Sequence, residues 1–160
     1  MTVHETPADR AQPYESYHLG QIFYGPGVTL TESDIIEFAF RYDPQPHHLD
    51  KEVAGKSIYG GLIASGMQVM VTSFRMLVQG GFVGEASMGT NAVNNLTFHK
   101  PVRPGDTISG EVEVTALRES RSRPDMGLVT MDARIFNQHR EIVCTWDAVQ
   151  FVRKGSGAKA

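Results

Sequence analysis

Cysteine is nearly absent from the chain, with one residue, Cys144, among 160. A single cysteine excludes a disulfide within the chain and fits a reducing compartment. Cys144 lies inside an apolar run, residues 142–152, where a free cysteine ordinarily packs like a small hydrophobic side chain. A nucleophilic role is the alternative, and the surrounding sequence favours packing.

The chain also lacks a run of about 20 consecutive apolar residues, which a membrane-spanning helix requires. Its longest apolar stretch, residues 62–78, is interrupted by polar side chains and predicts a buried helix. Residues 1–16 have no apolar segment, and their acidic residues and prolines suit neither a secretory nor a mitochondrial signal. We therefore expect a cytoplasmic protein that does not associate with membranes.

Neither sign of charge is in large excess, because the formal net charge is −3. Such a chain has no global field that attracts nucleic acid or an anionic membrane. Its length predicts one domain with a substantial core. We place this domain at residues 16–153, between flexible ends at 1–15 and 154–160 that are polar and show no periodicity.

The first helix is predicted from its end signals. Thr31 followed by Asp34 is a variant of the capping box, in which each residue bonds the other's backbone N–H. The helix should end near Tyr42, because Asp43 precedes Pro44 and a residue before proline is disfavoured in helical geometry.

A second, longer helix is predicted between two glycine pairs, at 60–61 and 80–81. Its enclosed residues are apolar on nearly every side, which indicates a helix surrounded by protein. Between the two helices, Asp50 is predicted to be the N-cap of one short helical turn.

Strands account for most of the rest. Residues 21–30 predict a strand, or a strand pair, broken by two glycines and a proline. Turn signals after the long helix separate four further strands, which predict an antiparallel meander. The result is an α+β fold in which a curved antiparallel sheet wraps a long central helix, the hot-dog arrangement. Its edge strands make self-association a reasonable expectation. The four strands are predicted at residues 87–100, 106–120, 126–138 and 141–154.

The stretch from Asp43 to Asp50 carries the chemistry, because a carboxylate and two imidazoles, His47 and His48, lie close together in it. Prolines at 44 and 46 restrict the backbone and reduce the entropy lost in holding Asp43 and His48 in place. Preorganisation of this kind is what acid and base groups require. The intervening residues must bend if both side chains are to reach one water.

This stretch resembles the D-x-N-P-x-H-x-D signature of MaoC-like hydratases and dehydratases, the (R)-specific enoyl-CoA hydratase group. Asp43, Pro46, His48 and Asp50 match it, while Gln45 replaces the usual asparagine. A second match is Gly66, in the first turns of the predicted long helix, which follows Ser65 where the family usually has histidine. The PVRPGDTI segment also resembles the family, and the likeness covers about residues 17–153.

The resemblance implies reversible syn addition of water across the trans-2 double bond of an enoyl thioester. Asp43 and His48 would hold one water and move its protons, and the sequence leaves open which of them is acid and which is base. The Gly66 N–H would form the oxyanion hole, since amides in the first helical turn lack partners. The family also implies a homodimer or higher homo-oligomer with its acyl pocket near the interface. The coenzyme A thioester is the substrate, and no cofactor is expected.

Further residues are candidates for substrate binding. Arginines at and after the end of the second predicted strand, and a lysine at the end of the first, suit phosphate oxygens. Methionines of the long helix suit an acyl tunnel. Solvated strand ends and core packing are the alternatives. The substrate-binding candidates are Ser65, Met67, Met70, Arg121 and Arg123, with Arg118, Lys100 and Met76 as weaker ones.

A purely structural role is the alternative for each residue of the predicted site. Asp43 could end its helix, His48 could be a packed histidine, and Gly66 could exist for close packing of helix on sheet. No spacing typical of zinc ligands is present, so no metal is expected.

Two other functions compete with hydration. One is hydrolysis of acyl thioesters, which hot-dog enzymes perform with a carboxylate on or near the central helix. Residues 62–78 contain neither Asp nor Glu, which disfavours it. The other is a non-catalytic acyl-CoA-binding or partner subunit, which would keep the fold and lose the Asp/His pair.

Overall fold

A computed structural model of the chain describes residues 12–155. After a 3-10 turn at Tyr14–Ser16 come a strand, four helices and four more strands. Their bounds are β1 Ile22–Thr29, α1 Glu32–Tyr42, α2 Pro46–Leu49, α3 Lys51–Gly55, α4 Gly66–Gln79, β2 Ser87–Phe98, β3 Thr107–Glu119, β4 Met126–Phe136 and β5 Ile142–Arg153.

The five strands form one antiparallel sheet in the order β1-β3-β4-β5-β2. Strands β3, β4 and β5 form a meander as predicted, but the prediction that β2 begins it is wrong, because β2 pairs with β5 at the far edge. The cause is the PVRPGD segment, which is a crossing connection and not a tight turn. Its residues bond other segments: Val102 O accepts from the Ala64 N–H at 2.8 Å, and the Gly105 N–H donates to Leu30 O.

The predicted segment 21–30 contains a single strand, β1, along the opposite edge of the sheet. Its pairing with β3 shifts register between Gly25 and Val28. Proline can be accommodated there, because an edge strand can leave one side of its backbone unpaired. The strand-pair alternative is therefore excluded.

The predicted limits of α1 are confirmed. Thr31 and Asp34 form a complete capping box, and the helix ends at Tyr42 with the Asp43 N–H donating to Ala39 O at 3.0 Å. Asp50 caps α3 as predicted. Its carboxylate accepts from the backbone N–H groups of Glu52 and Val53, two and three residues later.

Helix α4 begins later than the glycine pair at 60–61 suggested, at Gly66, because residues 60–65 are not helical. Its inner face packs on the sheet, where the Trp146 Nε1–H donates to the buried Ser73 Oγ at 3.0 Å. Residues of the same chain leave one side of α4 uncovered. Met67 and Val71, one turn apart, are 47% and 48% exposed in the single chain.

No helix within residues 12–155 has the length and apolar character needed to cross a membrane. Cys144 is fully buried, as predicted for a packing residue, and burial raises the pKa of its thiol to about 11.

Most residues of the predicted flexible ends, 1–11 and 156–160, lie outside the described residues. Within the described part, residues 14 and 15 belong to the 3-10 turn, and the Tyr14 ring lies directly over Gly127 of β4. The Glu15 carboxylate also accepts from the Gly155 N–H at 2.9 Å, which joins the two ends of the domain.

Candidate active site

A cavity of about 480 Å³ opens beside the N-terminus of α4. The segment after α1, the segment before α4 and the connection after β2 form its walls. Backbone bonds hold these walls together: the Ile63 N–H donates to His47 O at 3.3 Å, and Ala64 bonds Val102. The side chains that surround it are Asp43, Gln45, His47, His48, Tyr59, Ile63, Ala64, Met67, Val69, Phe98, His99, Lys100, Pro101, Val102 and Val143, with the backbone of Gly66.

Asp43 lies at this cavity because α1 ends there and the following proline turns the chain away. Both of its carboxylate oxygens accept hydrogen bonds. Oδ2 accepts from the Ser65 hydroxyl at 2.6 Å, and Oδ1 accepts from the Gln45 amide at 2.8 Å. The carboxylate is thus fixed between the end of α1 and the start of α4.

His48 lies in the short helix α2, and its side chain is 5% exposed. Its Nδ1 lies 2.9 Å from the carbonyl oxygen of Ile63. A carbonyl only accepts, so this contact requires a proton on Nδ1. In the neutral ring Nε2 then carries a lone pair, and it lies 3.5 Å from Asp43 Oδ2.

Hydrogen bonding keeps Asp43 ionised. The Ser65 hydroxyl first, then the Gln45 amide and more weakly the neighbouring histidines, lower the pKa of the Asp43 carboxyl below its ordinary value. Burial, and then the positive charge of a protonated His48, lower the pKa of His47. The Asp43 carboxylate and the imidazole rings of His47 and His48 face the same cavity.

Gly66 is the first residue of α4, and its N–H makes no hydrogen bond within residues 12–155. Unpaired amides at a helix N-terminus carry partial positive charge and favour a negatively charged oxygen. Ser65 caps the same helix by accepting from the Met67 N–H at 3.2 Å. The arrangement places a free donor, a carboxylate and an imidazole around one space.

The other predicted residues are not all brought together here. Met67 lines the cavity, and so does Lys100, which pairs with Glu141. Ser65 is completely buried behind Asp43, where its hydroxyl contacts the carboxylate and does not line the cavity. Met70 is likewise absent from the lining.

Arg121 and Arg123 lie in the turn between β3 and β4, at the opposite end of the sheet. Met126, where β4 begins after this turn, pairs with Arg153 at the end of β5. The cavity instead touches Val143, near the beginning of β5. The separation is roughly 30 Å, and Arg123 pairs with Asp125 there. Within one chain, these arginines cannot contact a phosphate bound at the cavity mouth.

Sequence reasoning missed several groups at the site. The Ile63 carbonyl that fixes the His48 ring is a backbone atom and has no signature in the sequence. His99, which belongs to no motif of the predicted site, lines the cavity, and its Nε2 lies 2.9 Å from Thr145 Oγ1. Among residues 12–155, no three His, Cys, Asp or Glu side chains converge as metal ligands would.

The curved antiparallel sheet with its long helix is the hot-dog fold, and solved structures share it. The structure of a MaoC-like dehydratase from Rhodospirillum rubrum superposes with a TM-score of 0.81 at 33% identity, covering 89% of this chain and 97% of that one. The (R)-hydratase of Aeromonas caviae superposes with a TM-score of 0.71 at 30% identity, covering 85% and 97%.

Residues 17–133 match the family model described as MaoC like domain, and the chain belongs to this family. An uncharacterized protein of Bacillus subtilis, YdeM, is 35% identical over 78% of this chain and 86% of its own length. The (R)-specific enoyl-CoA hydratase of Aeromonas caviae is 33% identical, over 69% of this chain and 77% of its own.

Replacing Ser65 by alanine should raise the pKa of Asp43, because the Ser65 hydroxyl lowers this pKa more than any other neighbouring group does. Gln45→Ala should raise it less. Carbon-13 NMR titration of the Asp43 carboxyl measures both, with Ser33→Ala on the exposed side of α1 as the control. Equal pKa values in Ser65→Ala and the unmodified protein would mean that the Ser65 contact does not set the charge of Asp43.

Proposed function

We propose that this chain catalyses the reversible addition of water to a trans-2-enoyl-CoA thioester, giving an (R)-3-hydroxyacyl-CoA. One observation carries the proposal: His48 Nε2 and Asp43 Oδ2 lie 3.5 Å apart, at the cavity that holds the free Gly66 N–H. Family membership supports the reaction class, because the Aeromonas relative is named an (R)-specific enoyl-CoA hydratase.

The thioester carbonyl binds first, with its oxygen on the Gly66 N–H. Electron density moves to this oxygen when C3 is attacked, so a donor at a helix N-terminus stabilises the developing enolate. No residue needs to move for this, since the donor is already unpaired within the described part of the chain.

A water held by His48 Nε2 and the Asp43 carboxylate is the nucleophile. Its oxygen bonds to C3, the π electrons of the double bond move into the enolate, and one water proton passes to Nε2. We assign the base role to His48, because hydrogen bonds already stabilise Asp43 as a carboxylate, whereas Nε2 has a free lone pair. The imidazolium then returns the proton to C2, so water is consumed and no net proton is exchanged.

Asp43 stabilises the imidazolium formed in this step. Its Oδ2 faces Nε2, and the Ile63 carbonyl accepts from Nδ1 on the other side of the ring. A charged ring between a carboxylate and a carbonyl is favoured over one in an apolar pocket. The two competing functions are less well supported, since α4 has no carboxylate for hydrolysis and both members of the pair are present.

Asp43→Asn and His48→Ala should each lower kcat for crotonyl-CoA hydration by a factor of about 100 or more, because each removes a group that acts in the proton transfers. Loss of the conjugated ultraviolet absorbance measures turnover, and calorimetry with butanoyl-CoA measures binding. Binding should persist in both variants, since the cavity and Gly66 are retained.

Asp125→Asn and His139→Ala are matched controls on exposed residues outside the cavity, and both should retain full activity. If the unmodified protein turns over crotonyl-CoA and Asp43→Asn retains that activity, the proposed pair is excluded. Binding without turnover of any enoyl-CoA, in the unmodified protein, would favour the non-catalytic acyl-CoA-binding subunit.

We also infer that the chain works as a homodimer in the cytoplasm. The apolar stripe of α4, defined by Met67, Val71 and Val78, is exposed beside the cavity, and β2 is an edge strand. Exposed apolar stripes and open edges are commonly covered by self-association. Because Met67 also lines the cavity, a partner on this stripe would help to close the acyl pocket.

Light scattering should therefore give twice the chain mass, and Val71→Glu should give the monomer, because it places a charge in the apolar contact. Glu37→Gln, on the exposed surface of α1, is the control and should leave the dimer intact. A monomer for the unmodified chain at micromolar concentration would rule out the homodimer.

A further inference from the structure

Phe98 is the last residue of β2, and its position is set by the sheet. It pairs with Cys144 of β5, and the next residue, His99, continues this connection by donating its N–H to Val143 O at 2.9 Å. The ring is not part of the hydrophobic core. It is 46% exposed and lines the cavity.

The Phe98 ring lies against the backbone of Gly66. A Cβ placed on Gly66 would lie 2.6, 2.7 and 2.9 Å from three carbons of this ring. Since side-chain carbons do not approach that closely, only glycine fits while the ring keeps this position. The ring therefore stands immediately beside the free N–H that would bind the thioester oxygen.

A substrate bound to this N–H must pass close to the ring. The carbonyl oxygen would lie about 2.9 Å from the Gly66 nitrogen, which leaves the atoms attached to the carbonyl carbon, C2 and sulfur, about 4 to 5 Å from it. Every thioester substrate has the sulfur atom, so contact between the ring and the sulfur does not distinguish one substrate from another. Contact between the ring and C2 distinguishes substrates, because C2 carries either hydrogen or an alkyl branch.

We propose that Phe98 is a specificity-determining residue that admits acyl groups unbranched at C2 and disfavours those with a C2 methyl group. The inference rests on the proposed function, because it assumes that the thioester oxygen binds the Gly66 N–H. An unbranched trans-2-enoyl thioester fits beside the ring, whereas the added width of a methyl group at C2 displaces it. The ring belongs to the binding surface and takes no part in proton transfer.

The test compares crotonyl-CoA with (E)-2-methylcrotonyl-CoA in the unmodified protein, Phe98→Ala and Phe40→Ala. Phe40 is a matched control, since it is an exposed phenylalanine on α1 that does not line the cavity. The kcat/KM ratio of unbranched to branched substrate should fall about tenfold in Phe98→Ala, a usual effect of one methyl group in an apolar pocket. It should be unchanged in Phe40→Ala. Phe98→Leu replaces Phe98→Ala if the latter does not fold.

Binding of saturated butanoyl-CoA and 2-methylbutanoyl-CoA gives a second readout that needs no turnover. If neither enoyl-CoA reacts but the ratio of dissociation constants shifts in Phe98→Ala, the hydratase proposal fails and the specificity role stands. An equal preference for branched and unbranched groups in the unmodified protein overturns the specificity role, as does a preference that Phe98→Ala leaves unchanged. Absence of binding to either acyl-CoA overturns both proposals.

A double variant tests the contact itself. Gly66→Ala should weaken butanoyl-CoA binding, because its methyl group collides with the ring, and adding Phe98→Ala should restore part of the loss. Additive effects of the two substitutions would show that the ring and Gly66 do not act together, which also contradicts the proposal.

Discussion

The hydrogen bond from the buried Ser65 hydroxyl to Asp43 is the interaction on which the geometry of the site depends. Ser65 ends the extended segment before α4, caps that helix, and donates to the carboxylate that follows α1. One hydroxyl thus fixes the relative positions of a helix end, a helix start and an ionised side chain. The second fixed point is the Ile63 carbonyl, two residues earlier, which orients the His48 ring. Both anchors lie in one short segment, which therefore fixes the positions of Asp43 and His48 relative to the Gly66 N–H.

The rest of the fold holds this segment in place. Ala64 bonds the connection after β2, and Ile63 bonds the backbone of α2, so residues 63–66 are tied on both sides. Helix α4 is in turn held on the sheet by its buried inner face and by the bond between Trp146 and Ser73. For the proposed reaction this preorganisation has a consequence: the donor and the proposed base would not have to be reorganised when charge develops on the substrate. The Phe98 ring also lies beside Gly66, so in the two proposals substrate choice and charge stabilisation depend on one small region.

Features with local causes could be predicted from the sequence, and features with long-range causes could not. The capping box at Thr31, the helix end before Pro44 and the cap at Asp50 each depend on residues a few positions apart. The closeness of Asp43 and His48 could be predicted for the same reason, because one short proline-containing stretch carries both. The place of β2 beyond β5 depends on pairing between strands that are distant in sequence, so turn signals alone suggested the wrong neighbour. Arg121 and Arg123 were chosen for their chemistry, and only the strand register shows that they lie at the other end of the sheet. The start of α4 was missed because a glycine pair shows that regular structure is interrupted nearby without showing at which residue the helix begins.

The most direct test of the account is the stereochemical course of crotonyl-CoA hydration in deuterium oxide, followed by NMR of the product. Asp43 and His48 lie 3.5 Å apart and so face one side of a bound substrate. The account therefore predicts an R hydroxyl group at C3 and one deuterium at C2 on the same face. A hydroxyl group and a deuterium on opposite faces, or no hydration at all, would contradict the claim that this single pair activates the water and delivers its proton to C2.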